Sequence, residues 1–441
     1  MAECEISPGP WEGRGAPIDT LAQETRAALG LPVDTPLVVS GHQPTAPHPG
    51  ILAKYIAADA WASAAGATTC HLVIDTAAAA IATIDVPVGH APESLTSSPV
   101  SLAIESTGPL MTRAAATPSQ STIDTSLVWS DTGLATLRDA WEAAPDDQGA
   151  APQAAWVVAS VCSPWVKPAT VVFASSLLST PTGSALVDAM RRDPAACVHA
   201  YNDAAGHVPK GGVTQLQTGS DPELPLWVVT DDGLRPAHAS DLNKAITLAP
   251  RALVTTAIMR SIADLFIHGT GGMAYDQVME AWVASWNPLS LSPRVLATAT
   301  LRLPLGEEAD FQQACDHAIA QHRRATHDPA ASGHAPSPAK QRLLDEIARH
   351  DRGTPGRQAA FDALHALVDS HRDAGEDEAH HQHVHAIKLG QDIAARRTWA
   401  AVLHNPSAID ALADDCRTQV NAVSVPRSAR STPPSRRQPC R

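Results

Sequence analysis

The stretch SGHQPTAPHPGILAK, residues 40–54, is where the fold of this chain is decided. It follows a short apolar run at 37–39, which we interpret as a buried β-strand. It leads into an alanine-rich run at 51–64 with the pattern of an amphipathic helix. A strand, a glycine-containing loop and a helix N-terminus together form the ligand crevice of an open α/β sheet. The sequence therefore predicts a ligand site in this loop.

The loop carries the polar groups that such a site needs. Backbone N–H groups at a helix start favour a bound anion, which neighbouring side chains can bind or polarise. A turn with a hydrogen-bonded histidine is the alternative interpretation of the motif. We assign six residues to the site, with His42 as a catalytic candidate and the others as substrate or anion ligands: Gly41, His42, Gln43, His48, Gly50 and Lys54.

Charge and composition narrow the class of protein. The formal net charge is −14 at pH 7, so general nucleic-acid binding, in which phosphate contacts dominate affinity, is disfavoured. The apolar content of 44% allows a substantial core. Lysine is scarce, with six in the chain, and Lys54 falls within the predicted site. We expect small-molecule rather than nucleic-acid partners.

The cysteines and the N-terminus suggest a compartment. Seven cysteines are spread along the chain without a CxxC motif, which favours reduced thiols in a cytoplasmic protein. The start MAECEISPGPWEGRG lacks the basic and apolar regions of a signal peptide. No stretch reaches the roughly 18 apolar residues typical of a membrane helix. We expect a cytoplasmic protein with no membrane partner.

A second strand follows the first helix. Residues 70–74 (CHLVI) form an apolar run with Asp75 at its end, so strand, helix and strand predict a parallel βαβ unit. Asp75 is a catalytic candidate at the crevice, or alternatively a turn or cap residue. Further strands are predicted at 84–88, 156–161, 171–174 and 224–229. The weakly patterned segment 91–155 is interpreted as a peripheral insertion.

A second strand–loop–helix block spans residues 263–282, ADLFIHGTGGMAYDQVMEAW. A helix from Arg251 to about residue 262 precedes it, and Arg251 is either an anion clamp or a surface cation. His268 ends the predicted strand and is the third catalytic candidate. The spacing of the glycines does not match a dinucleotide-binding motif. Further binding candidates in this block are Gly271, Gly272, Tyr275 and Asp276.

The composition changes near residue 305. We divide the chain into an N-terminal arm and helix (1–30), an α/β core (31–304), a helical hairpin or coiled coil (305–412) and a disordered basic tail (413–441). Four histidines at 380–385 suggest zinc, but their spacing favours a solvated helix face, so we predict no metal site.

The two blocks together resemble the BshC family, to which the cysteine-ligase step of bacillithiol synthesis is assigned. The resemblance rests on SGHQPTAPHPGILAKY, APRALVTT, DLFIHGTGGMAYD and the coiled-coil-like C-terminal third. It covers residues 36–90 and 197–290 and, by architecture, 305–412. It implies a Rossmann-like core related to nucleotidylyltransferases, with a helical coiled coil that mediates homodimerisation. The alanine-rich segment 76–80 places this chain in a divergent branch.

The resemblance also implies an activity. Family members join cysteine to the amino group of a glucosaminyl malate, so a ligase joining an amino acid to a sugar-derived amine is expected. His42, Gln43 and His48 would polarise the acyl group, Lys54 and Arg251 would neutralise charge, and Asp75 or His268 would accept the amine proton. The cofactor is unidentified, with a nucleotide as the candidate. The alternative is a non-catalytic dimer that binds a nucleotide or sugar phosphate.

Overall fold

A computed structural model describes residues 3–119, 130–231, 233–327, 338–370 and 374–424. The strands are β1 Glu3–Ile6, β2 Leu37–His42, β3 Thr68–Val73, β4 Thr83–Val88, β5 Thr96–Ser101, β6 Ala103–Ile104, β7 Thr117–Pro118, β8 Thr170–Phe173, β9 Glu223–Thr230, β10 Gly233–His238, β11 Leu248–Pro250, β12 Leu265–His268 and β13 Arg294–Thr300. The helices are α1 Thr20–Ala28, α2 Pro49–Ala65, α3 Ser130–Ala143, α4 Ala150–Cys162, α5 Pro181–Arg192, α6 Pro194–His207, α7 Ala252–Ile262, α8 Thr270–Trp286, α9 Glu308–His327, α10 Pro338–Arg349, α11 Pro355–Ser370, α12 Ala374–Ala395 and α13 Pro406–Ser424.

The protein is α/β, with a mostly parallel central sheet. Six strands run in the order β1-β13-β12-β2-β3-β8. All neighbours from β13 to β8 pair in parallel, and β1 is an antiparallel edge strand. The chain leaves β2 towards β3 on one side and later returns to β12 on the other. The order therefore reverses between β2 and β12, where α/β sheets bind their ligands.

Helices cover both faces of this sheet. Alternate side chains of β2 face opposite layers: Leu37 and Val39 pack with α5 to α8, and Val38 packs with Ala57 and Ala58 of α2. Strands buried on both faces read as continuous apolar runs, which is why residues 37–39 stood out in the sequence. The reversal point is consequently held between two rigid layers.

The helix after β2 is more deeply buried than its sequence pattern predicted. It begins at Pro49, and nearly every position through Ala62 is buried, so the predicted amphipathic face does not exist. A helix that is apolar all round packs inside the protein. Here α2 lies between the sheet and α13, which places Lys54 in the interior.

The segment predicted as a peripheral insertion contributes to a second core. Its side chains, among them Leu102, Leu110 and Trp141, pack with Phe311 of α9 and Ile387 of α12. Helix α9 packs against α12, and α10 packs against α11. Helices α9 and α12 therefore share a core with the segment predicted as an insertion.

Several predicted elements differ from the structure. Residues 156–161 belong to helix α4 rather than to a strand, because a short apolar run alone does not distinguish the two. The predicted arm contains β1, which pairs with β13. Residues 413–424 continue helix α13, whose apolar face packs on α2, and the rest of the predicted disordered tail lies outside the described residues.

The prediction that all cysteines are reduced was also wrong. Cys4 of β1 and Cys416 of α13 form a disulfide, and Cys70, Cys162, Cys197 and Cys315 are free and buried. Sequence spacing does not show that the two ends of the chain meet. Among the helices that the structure describes, none has the length and apolar character to cross a membrane.

Candidate functional site

A cavity of about 1000 Å³ opens at the reversal point between β2 and β12. His42, the last residue of β2, and His268, the last residue of β12, both line it. The two strands are parallel neighbours, so both histidines lie at the carboxyl edge of the sheet, as predicted. The volume matches that of a small-molecule or cofactor site.

Three helices begin at this cavity. The first residues of α2, α7 and α8 contribute Gly50, Leu253 and Gly271 to its wall. In the part of the chain that the structure describes, no side chain caps α7 or α8, whereas the His48 side chain caps α2 by accepting a hydrogen bond from Gly50 N at 3.1 Å. Helix N-termini carry partial positive charge and free N–H groups, so this wall favours an anion.

Lys54 is the most unusual cation of the site. Its side chain is buried in α2, and its Nζ donates a 2.7 Å hydrogen bond to the carbonyl oxygen of Gly41. No carboxylate among the described residues lies within the 4.0 Å ion-pair distance of it. Burial lowers the pKa of Lys54 to about 8, because the charged form is poorly solvated. The ammonium of Lys54 is therefore available to pair with an anionic ligand.

His42 and His48 are uncharged near neutral pH. Burial, followed by the charge of Lys54, lowers the pKa of His42 to about 4. Burial and the nearby charges of Arg397 and Lys54 lower the pKa of His48 to about 4 as well. The Nδ1 of His42 lies 3.0 Å from the carbonyl oxygen of Gln43, which fixes the proton on Nδ1 and leaves Nε2 as an acceptor.

His268 is held by a buried carboxylate behind the cavity. Its Nε2 lies 3.2 Å from Oδ2 of Asp276, which also pairs with Arg260 at 2.6 Å and Arg294 at 3.3 Å. Burial lowers the pKa of His268, although Asp276 works against this. Burial works to raise the pKa of Asp276, but His268 and the two arginines together hold it below its usual value. The lowered pKa favours the neutral imidazole of His268, which lies beside the charged carboxylate of Asp276.

Gly272 is required by the position of His268. A Cβ on Gly272 would lie 2.2 Å from Nδ1 of His268, far inside van der Waals contact. The first turn of α8 thus passes directly against the imidazole ring, and only glycine permits this approach. A Cβ on the neighbouring Gly271 would meet no atom of the described residues within 4 Å, so this position faces open space.

Two arginines complete the charged lining. Arg251 stacks on Trp227 at 4.0 Å and pairs with Glu223 at 2.7 Å, so its charge is largely neutralised. Arg397 makes only long hydrogen bonds, of 3.3 Å to Thr300 and 3.4 Å to Thr270, among the described residues. Arg397 therefore adds a second cation without a carboxylate partner.

The structure brings together most of the predicted site. The predicted residues that line the cavity are Gly41, His42, Gln43, His48, Gly50, Lys54, Arg251, His268, Gly271, Gly272 and Tyr275. Two predicted residues do not line it. Asp276 lies behind His268, and Asp75 is buried and accepts hydrogen bonds from the backbone and side chain of Ser175. The carboxylate of Asp75 is thus bound to Ser175 and does not line the cavity.

Sequence reasoning missed several lining residues. Arg397 follows the helices after residue 305 and reaches the cavity from a distant part of the chain, so no local pattern marks it. Trp227 comes from β9, which was predicted as a strand but not as part of the site. The threonines at 255, 256, 270 and 298 also contribute to the wall. A cluster of hydroxyl, imidazole and cationic groups results.

The charge of the cavity is opposite to that of the protein. Three cations line it, and the described lining contains no aspartate or glutamate, although the chain carries a net charge of −14. Among the described residues, no group of three or more histidine, cysteine or acidic side chains is placed to hold a metal ion. His380 instead stacks on His322 with ring centroids 3.9 Å apart. The cavity is therefore suited to an anionic organic ligand.

No protein-family model matches the chain, and no curated protein matches it.

Proposed function

We propose that the cavity is the active site of a BshC-like carbon–nitrogen ligase, which joins an amino acid to the amine of a small sugar-derived substrate. The observation that carries the proposal is the acid-free cavity around Lys54 at the reversal point of the sheet. A buried lysine without a carboxylate partner is a candidate functional group rather than a stabilising one. The family resemblance in the two loops supplies the reaction class.

The strand order supports a Rossmann-like core. Numbered along the chain, the five parallel strands lie in the order 5-4-1-2-3, which is the order of a doubly wound nucleotide-binding sheet. Phosphates in such sheets bind at the helix N-terminus after the first strand, which here is α2. A nucleotide or a sugar phosphate is therefore the proposed anionic ligand. Lys54 and Arg397 would neutralise its charge.

The chemistry of amide formation fits the neutral histidines. The amine nitrogen attacks an activated acyl carbon, the bond from that carbon to its leaving group breaks, and the amine loses a proton. A general base that accepts this proton contributes about 10²–10⁴-fold. His268 is neutral, lines the cavity and is oriented by Asp276, so we assign it as the base. His42 and Gln43 would orient the acyl group.

Thermal unfolding with candidate ligands tests the assignment. Nucleotides, cysteine and amino-sugar phosphates are each added to the purified protein, and amide formation is then assayed by mass spectrometry with the compounds that stabilise it. We expect anionic ligands to raise the unfolding temperature. His268→Ala should abolish turnover while preserving this stabilisation. If His42→Ala and His268→Ala leave a demonstrated activity intact, the site assignment is wrong.

A non-catalytic role is favoured by one observation. Asp75, the carboxylate proposed to share proton transfer, is occupied by Ser175 and does not reach the cavity. A dimeric protein that binds a nucleotide or sugar phosphate would need the cations and helix N-termini but no base. It would show ligand-dependent stabilisation without turnover. A measured amide product would exclude it.

Dimerisation through the C-terminal helices is part of the proposal. Helices α10 and α11 pack on each other and leave Leu344 and Phe361 exposed. A helical hairpin with apolar side chains facing water is a typical site of association. Sedimentation at equilibrium of the wild type and a Phe361→Glu variant tests this, with the variant expected to be monomeric.

A further inference from the structure

A second, smaller pocket adjoins the cavity. It has a volume of about 110 Å³ and lies between helix α4, the carboxyl end of β3 and the amino end of β8. Val73, Val158, Cys162 and Val166 give it an apolar wall. Ala159 lies at its exposed side, together with Lys167, whose Nζ donates a 2.9 Å hydrogen bond to Ser63. This volume is below that of a drug-sized site, so it fits a fragment of a few heavy atoms rather than a nucleotide.

One lining residue carries a buried polar atom that lacks a hydrogen-bond partner among the described residues. The Nε2 of His71 is buried and has no hydrogen-bond partner among the described residues, while the ring stacks on Tyr55 at 4.4 Å. Burial, with a smaller contribution from Lys54, lowers the pKa of His71 to about 4, so the ring is neutral. A buried polar group without a partner destabilises the protein, and a ligand that forms a hydrogen bond to it removes this destabilisation.

The chemistry of the wall limits the ligand class. A neutral imidazole nitrogen is a donor or an acceptor according to its tautomer, and a hydroxyl or thiol satisfies either. A carboxylate would satisfy only the donor and would lose solvation among valines. Burial raises the pKa of Cys162 to about 12, so its thiol behaves as an apolar wall and not as a nucleophile. A short apolar chain that ends in a neutral hydrogen-bonding group fits best.

His42 lines both this pocket and the large cavity. We propose that the pocket is a subsite for a second, small substrate, which carries a short apolar chain ending in an alcohol or thiol, and that His42 is the wall shared with the anion site. This rests on the proposed function, because it assigns the two reactants of a joining reaction to two compartments. His42 then contacts both reactants and selects the smaller one by size.

Imidazole ¹⁵N spectra of the full chain test the subsite, with butan-1-ol and 1-propanethiol as probes. We expect saturable shifts of the His71 Nε2 resonance, which is assigned by its loss in His71→Phe. That variant retains a ring against Tyr55, and probe affinity measured by ligand-observed NMR should fall about threefold or more. Ala159→Phe, which fills the exposed side, should abolish the His71 shift. Ser160→Phe is the matched control on α4, since Ser160 lines neither compartment.

A wild-type His71 resonance that does not move, or that moves equally in Ala159→Phe, would overturn the subsite. Equal loss in Ser160→Phe would overturn it too, because the effect would then come from α4 as a whole. Inorganic pyrophosphate is titrated in parallel to separate the two proposals. Failure of pyrophosphate to bind, with the His71 shift intact, removes the anion site and leaves the subsite. Pyrophosphate binding in Ala159→Phe, without the His71 shift, is the expected result.

Discussion

The ammonium of Lys54 lies 2.7 Å from the carbonyl oxygen of Gly41, inside a buried helix. This contact joins α2 to the end of β2 and is the one hydrogen bond found for Lys54 among the described residues. A single neutral acceptor does not compensate for the burial of a full charge. The buried ammonium therefore lowers the stability of the unliganded protein, and it is available to pair with an anionic ligand.

Replacing Lys54 by methionine should abolish most anion binding. Methionine fills a similar volume but removes the charge, and a hydrogen bond to a charged group is worth about 1.5–3 kcal/mol, or roughly 10- to 150-fold in affinity. Isothermal titration with pyrophosphate measures the loss. Lys388→Met is the control, because Lys388 is exposed on α12 and away from the cavity. Equal affinity in the two variants would contradict the assigned role.

The same lysine should make stability depend on pH. The folded-state pKa of Lys54 is about 8, against an ordinary value of 10.5 for a lysine side chain. Below pH 8 Lys54 is charged in both the folded and the unfolded state. Between about pH 8 and 10.5 the unfolded state binds more protons than the folded state, so the free energy of unfolding rises with pH. The rise should reach about 3 kcal/mol. Urea unfolding of wild type against Lys54→Met isolates it, and parallel curves would refute the expectation.

Gly272→Ala should displace His268 and remove activity. The added Cβ would lie 2.2 Å from Nδ1 of His268, so the ring or the first turn of α8 must move. Turnover should fall while the protein stays folded by circular dichroism. Gly271→Ala is the adjacent control for folding, since its Cβ would meet no atom of the described residues within 4 Å, and the free energy of unfolding should be unchanged or rise by about 0.4–1 kcal/mol. Loss of activity in both variants would show that α8 itself, not the His268 contact, is responsible.

Asp276→Asn should destabilise the fold strongly. Asp276 is fully buried and pairs with Arg260, whose own side chain is 4% exposed, so the substitution leaves a buried guanidinium with less compensation. Removing one partner of a buried pair costs about 3–5 kcal/mol. Glu280→Gln, which contacts the same Arg260 from a side chain 37% exposed, should cost less than about 1 kcal/mol. Similar denaturation midpoints for the two variants would be inconsistent with this ranking.

Arg397→Gln should weaken anion binding without affecting the fold. Its guanidinium bonds only to two threonine hydroxyls among the described residues, at 3.3 and 3.4 Å, and lines the cavity. We expect pyrophosphate affinity to fall by about tenfold. Arg396→Gln should leave affinity unchanged, since Arg396 pairs with Asp85 outside the cavity. Titration calorimetry of both variants with pyrophosphate measures this difference in affinity, and equal affinities would contradict the prediction.

The predictions for the buried parallel strands, which depended on local pattern, succeeded. The strand at 37–39, the loop after it and the strand before His268 are all present, because buried parallel strands are apolar on both faces. Once two such strands are parallel neighbours, the residues at their ends meet. This is why most of the predicted site lines one cavity.

The failures came from tertiary context. Residues 156–161 have the composition of a strand. They belong to the longer helix α4, which begins at Ala150, and the length and packing of this helix stabilise the helical conformation. The polar helix α13 is stabilised by α2 rather than by its own propensity. Arg397 reaches the site only because the chain returns to the core after α12. None of these features leaves a signal within a short window of sequence.

The bond between Cys4 and Cys416 has a consequence for the connectivity of the molecule. The two cysteines are 412 positions apart, so the polypeptide between them closes into one covalent ring. A protease that cuts one peptide bond anywhere inside that ring opens it without releasing a fragment. The nicked protein would keep its full mass until a reductant is added, and only then separate into two pieces.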